Sequence, residues 1–137
     1  MALYARLHIQ GHASEKKGIR VLESDINFIQ EFEMRTGAPS TRVDAGKLNL
    51  VIAVENDGEL LHWMFQPSKT RNGKIVYSGK DNGKTIKTVE FKDAVLVKYH
   101  ERFQEFEMTT ISITITAKEL KMVGATITNH WSLKDLV

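Results

Sequence analysis

Apolar and polar residues alternate with period two along most of this chain, the pattern of strands that bury one face and wet the other. Over residues 19–34, Leu22, Ile26, Phe28, Phe32 and Met34 share one parity, while Glu23, Asp25, Asn27, Glu31 and Glu33 share the other. Leu48, Leu50, Ile52 and Val54 alternate with Lys47, Asn49, Val51, Ala53 and Glu55. Ile111, Ile113, Ile115 and Ala117 alternate with Thr110, Ser112, Thr114, Thr116 and Lys118. Shorter strand candidates cover residues 3–10, 74–78 and 85–91, and a long one covers 94–108. In that long segment Val95, Val97, Tyr99 and Phe103 have one parity and Phe106 and Met108 the other, so a one-residue bulge is expected near 103–105. TGAPST (36–41), TRNGK (70–74) and KDNGK (80–84) carry turn signals, the last two through an Asn-Gly pair suited to tight hairpins.

Only NDGELLHWMFQP (56–67) has helical spacing. Asp57 can cap it, Glu59 suits the positive end of the helix dipole, and Leu60, Leu61, Met64 and Phe65 recur until Pro67 ends the run. A helix of about two turns holds only if its apolar side packs on the sheet. The expected fold is mainly β: a small barrel or sandwich of about six to eight antiparallel strands with one short α-helix packed on it. At 137 residues a single domain, 1–137, is expected, with one core.

Composition narrows the class. Apolar residues at 42% and charged residues at 26% describe an ordinary globular chain rather than a disordered one. The net charge of +2 is spread among carboxylates instead of gathered in a block, which argues against a dedicated nucleic-acid binder. Without cysteine there is neither a disulfide framework nor a thiolate metal site. Arg6 and His8 interrupt the N-terminus too early for a signal-peptide apolar region, and no run approaches the ~20 apolar residues of a membrane helix. A cytosolic protein without a cleaved leader and without direct membrane insertion is expected.

Chemistry-bearing constellations are sparse. Glu31 with Glu33, or Glu105 with Glu107, could be drafted as an acid/base pair, but same-face carboxylates on an exposed strand repel and stay ionised. His8, His12, His62, His100 and His130 lack metal-ligand spacing, and a turn at Gly11 separates the nearest two. No phosphate-cradling glycine motif occurs, so no catalytic residue, metal or cofactor is assigned. Trp63 and Trp131 read as packing or interface anchors.

The polar faces differ in chemistry: acidic over 19–34, mixed over 47–55, hydroxyl-rich over 110–118. They either meet bulk water in a monomer or line a shared channel when several copies join edge to edge; periodicity fits both. The pentapeptide QEFEM, at 30–34 and again at 104–108, closes a long strand each time before the chain reverses into another alternating strand. The two hairpins so defined suggest an approximate internal duplication, with convergence of two acidic strand ends as the alternative.

The order of these pieces resembles the Hcp (TssD) family, the tube proteins of type VI secretion systems, in its Bacteroidota-type branch. The likeness runs through MALYARLHIQG, RTGAPSTRVDAGKLNLVI, ELLHWMF, KTVEFKDAVLVKYHERF and TTISITITAKELKMVGATITNHW. It implies a non-enzymatic subunit of the inner tube, forming hexameric rings that stack into a hollow conduit for effector delivery. The implied partners are further copies of the chain, the sheath, a VgrG-like spike and effector proteins, with secretion through the apparatus itself. On this resemblance Arg35, Thr36, Gly37, Ala38, Pro39, Ser40, Thr41 and Arg42 form the ring-stacking loop. Glu23, Asp25, Asn27, Glu31, Lys47, Asn49, Thr110, Ser112, Thr114 and Thr116 face the lumen. The alternatives are a tail-tube subunit of a phage-like contractile injection particle and a monomeric β-barrel ligand-binding module.

Overall fold

Alternation becomes structure when each apolar face finds the others, and here six strands do so by closing on themselves. The computed structural model describes residues 3–27, 47–53, 58–66, 68–80, 83–105, 109–122 and 125–128. Its elements are β1 (Leu3–Ile9), β2 (Ile19–Asn27), β3 (Lys47–Ala53), α1 (Gly58–Met64), β4 (Arg71–Gly79), β5 (Thr85–Arg102), β6 (Thr110–Met122) and β7 (Ala125–Thr128). The antiparallel order is β3-β2-β1-β4-β5-β6-β7, and an additional β3–β6 pairing closes β1 to β6 into a barrel with β7 appended to β6. Leu7, Leu48, Leu50, Ile52, Ile75, Phe91, Ile113 and Ile115 fill the interior at 0–1% exposure. Burying each such side chain contributes roughly 1.5–3 kcal/mol.

The parities of β3 and β6 are those read from the sequence, but β2 and β5 depart from theirs. In β2 the register shifts between Val21 and Glu23, so Ile19 and Val21 point inward and Leu22 is left exposed. In β5 the shift lies between Leu96 and Lys98, not near 103–105; the strand ends at Arg102, and Phe103 is exposed. The segments 85–91 and 94–102, expected in two separate strands, form one strand that bends at Asp93. Asp93 has φ 50°; its amide donates to Asn72 Oδ1 at 2.9 Å, and Thr70 Oγ1 donates to its carboxylate at 3.4 Å. At this bend the buried parity changes together in β5 (Phe91 to Ala94) and β6 (Leu120 to Ala117), so paired residues stay on one face.

The two Asn-Gly signals part ways, with Asn82 lying outside the described residues. Gly83, at φ 67°, closes the β4–β5 connection, its amide donating to the Gly79 carbonyl at 2.9 Å. Asn72-Gly73 lies inside β4 instead. A Cβ on Gly73 would stand 2.5 Å from the His8 carbonyl oxygen and 2.5 Å from Phe91 Cζ, so glycine serves close backbone approach there.

Helix α1 packs against β5 through part of the expected face, Leu60 and Met64, together with Trp63. Leu60 and Trp63 are buried, whereas Leu61 and Phe65 are exposed. Trp63 Nε1 donates to the Lys69 carbonyl at 3.2 Å, and the Arg71 guanidinium lies 5.9 Å from its ring centroid. Glu59, expected only to complement the dipole, also accepts from the Ala13 amide at 3.3 Å and ties the β1–β2 connection to the helix.

Candidate functional site

Register assembles the polar face. Residues directly opposite one another in an antiparallel pair point to the same side of the sheet. Asp25 pairs with Asn49, Asn49 with Thr114 and Thr114 with Lys98, which makes one row across β2, β3, β6 and β5. Glu23, Val51, Ser112 and His100 make the next row. Asn27, Lys47 and Thr116 continue it on one side, and Ala53, Thr110 and Arg102 on the other. Leu48, Leu50, Ile52, Ile111, Ile113 and Ile115 point the other way, into the barrel.

Nine of the ten residues expected to face a lumen therefore share one surface. Glu23, Asp25, Asn27 and Lys47 are exposed, Asn49, Thr110, Ser112 and Thr116 half-buried, and Thr114 buried. Glu31 and the whole expected stacking loop, Arg35 to Arg42, lie outside the described residues, as do the first QEFEM and residues 106–108 of the second. Gln104 and Glu105 are exposed just past the end of β5. The two hairpins read around the doubled pentapeptide are both present, β2 with β3 and β5 with β6, and they meet through the β3–β6 pairing.

Sequence reading missed the fourth strand of this face. Lys98, His100 and Arg102 occupy alternate positions of β5, a signal visible in the chain, but nothing local announces that β6 brings them beside Thr114, Ser112 and Thr110. At the centre, Thr114 Oγ1 donates to Asn49 Oδ1 at 2.8 Å, a cross-strand bond that locks the row. Thr114→Val, which removes the donor while keeping the shape, is expected to lower stability by about 0.5–1.5 kcal/mol. Urea unfolding of both proteins checks this; an unchanged midpoint removes the bond from the account.

The outer strands of this four-stranded sheet are only partly covered. β1 accompanies β2 through Ile19 to Val21, leaving residues 22–27 without a partner on that side among the described residues. β4 pairs with β5 no further than Ala94, and no other strand is paired to 95–102 on that side among the described residues. Among the described residues no group of acidic, histidine or cysteine side chains is placed to hold a metal, and no helix is long and apolar enough to cross a membrane. His8 and His12 are engaged separately, His8 Nδ1 at 2.6 Å from the Glu15 carbonyl oxygen and His12 Nδ1 accepting from the Ser14 amide at 2.9 Å.

A closed antiparallel barrel with one short helix and a wide hydrophilic sheet face puts the chain in the class of Hcp-like, tail-tube-like β-barrels. A family model for hemolysin coregulated protein Hcp (TssD) matches residues 1–132. The chain belongs to that family. The structure is similar to that of Hcp1 from Flavobacterium johnsoniae, with TM-score 0.79 and 25% identity over 92% of this chain and 99% of that one. This likeness supports the Bacteroidota-type branch. Hcp1 from Salmonella typhimurium (TM-score 0.72, 20% identity, 99% and 98% covered) and secreted protein Hcp3 from Pseudomonas aeruginosa (0.61, 11%, 96% and 99%) share the fold. No curated protein matches the chain by sequence.

Proposed function

We infer that this chain is a subunit of the inner tube of a type VI secretion system, working as a single tube domain over residues 1–137, and that six copies form each ring. The observation that carries the ring is the four-stranded polar sheet, each of whose outer strands has a stretch with no strand paired to it among the described residues. β2, β3, β6 and β5 alternate in direction, so its outer strands run oppositely. A copy rotated about an axis along the strands therefore sets its β2 antiparallel to β5 of the first, repeating the pairing used throughout the sheet. Unpaired edges, a liability in a monomer, become the joining surface. Six copies make a cylinder of 24 strands, roughly 37 Å across at the backbone for a spacing of ~4.8 Å.

In this reading the face bearing Asp25, Asn49, Thr114 and their neighbours lines the channel. A wall of hydroxyls, amides and charges stays wet and does not hold passing cargo, whereas an apolar wall would. Residues 35–42 reach the next ring, Pro39 and Gly37 shaping the loop and Arg35 and Arg42 supplying charge-assisted contacts. The partners are sheath, spike and effector proteins, and the chain is made in the cytoplasm and exported by the apparatus. The role is structural, with no reaction catalysed. Native mass spectrometry of the purified protein is expected to show a six-copy ring. A monomer at high micromolar concentration would overturn the assignment.

A further inference from the structure

We propose that neighbouring copies are joined by an electrostatic seam on the polar face, with Glu23 and Asp25 of one copy set against Lys98 and His100 of the next. The seam rests on the tube reading above and specifies its junction. On the two central rows, both carboxylates lie on β2 and both basic side chains on β5, while β3 and β6 between them contribute only Val51, Asn49, Ser112 and Thr114. All four charged or basic side chains are exposed. Three strand spacings, about 14 Å at the backbone, separate β2 from β5 within one copy. The sheet thus ends in an acidic column on one side and a basic column on the other, each beside a strand edge with no strand paired to it among the described residues.

Rotation brings these columns together. In an antiparallel junction, directly opposed side chains have Cβ atoms ~4.5–5.5 Å apart, where opposite charges attract and like charges repel. Continuing the rows straight across sets Asp25 against Lys98 and Glu23 against His100. A slip of one residue turns the faces over and is excluded by the buried side. A slip of two keeps a carboxylate opposite a basic residue, Glu23 to Lys98 or Asp25 to His100, so the seam does not depend on one register. It also selects the symmetry. A two-fold dimer through β2 would oppose Glu23 and Asp25 to themselves, and one through β5 would oppose Lys98 and His100, so closed pairs are penalised and head-to-tail rings favoured.

Two doubly substituted proteins test the seam: Glu23→Lys with Asp25→Lys, and Lys98→Glu with His100→Glu. Each alone carries like charges across every junction and is expected to lose its rings at a concentration where the wild type is assembled. Mixed in equal amounts, the two variants regain complementary junctions whenever they alternate. Native mass spectrometry should then show rings containing equal numbers of each, and that recovery also establishes that both variants are folded. Rings from either variant alone, as abundant as wild type, overturn the seam while leaving the tube reading intact; so does a mixture that fails to recover beside a ring-forming wild type. A wild type that stays monomeric overturns the tube reading and the seam with it.

Discussion

Replacing Trp63 with alanine is expected to cost about 3–5 kcal/mol of folding stability, the range for emptying a buried Trp site. The indole is 2% exposed and is the largest side chain in the core. Its loss leaves a cavity under α1, deprives the Lys69 carbonyl of a donor and removes the ring beside Arg71. A helix of seven residues has no stability of its own, so α1 should lose its order together with that packing. Against a total of about 5–15 kcal/mol for a typical domain, the loss is severe. Thermal unfolding should move down by on the order of 10–20 °C. A shift of only a degree or two would mean that the helix is not held by this side chain. Since α1 follows β3 and precedes β4, loosening it also threatens the neighbouring β5, and ring formation should weaken with it.

Gly73→Ala is expected to destabilise by about 1–3 kcal/mol, and more if the strands cannot part. The added methyl would meet a backbone oxygen of β1 and the Phe91 ring at once, each at 2.5 Å. Phe91 is itself 1% exposed and has little room to turn. Gly83→Ala is the informative control: its Cβ would meet no atom within 4 Å, so only the positive φ of 67° opposes it. That conformation costs an L residue roughly 1–2 kcal/mol. Denaturant midpoints should therefore fall for both variants, further at position 73. The reverse order would show that β1 and β4 separate easily and that the close approach does not constrain the barrel.

These two sites bear on how a small barrel can also be a building block. The core, α1 and the β1–β4 contact hold the closed part, while residues 22–27 and 95–102 extend β2 and β5 beyond their pairing with β1 and β4. The same β2–β3–β6–β5 sheet thus buries Leu50 and Ile113 on one side and offers Asn49 and Thr114 on the other. Its stability comes from within the chain, and among the described residues no strand is paired to its outer edges over those stretches.

Much of the polar face was legible because side-chain direction in a strand alternates residue by residue. Asp25, Asn49 and Thr114 were placed on wet faces from parity alone, and the register sets all three in one row. Parity failed where an extra residue entered the ladder, so Leu22 was assigned inward and is exposed. Likewise Asn72-Gly73 carried a turn signal although tertiary crowding, not a reversal, demands its glycine. On α1 the spacing places Leu60 and Met64 inward correctly, but Leu61 and Phe65, equally apolar, are exposed, because only the position of β5 chooses among them.

By itself, then, the sequence determined the strand-rich class, the alternation within each strand, the β2–β3 and β5–β6 hairpins and the family resemblance, all carried by residues close together in the chain. Tertiary structure alone decided that β3 pairs with β6, that the barrel closes, and that Lys98 and His100 join the face of Glu23 and Asp25. Such pairings join residues some 65 positions apart, as in the bond from Thr114 to Asn49. Backbone hydrogen bonds are alike for every strand, so the partner is selected by how all the buried faces fill one interior together, a property of the whole packing and of no local pattern.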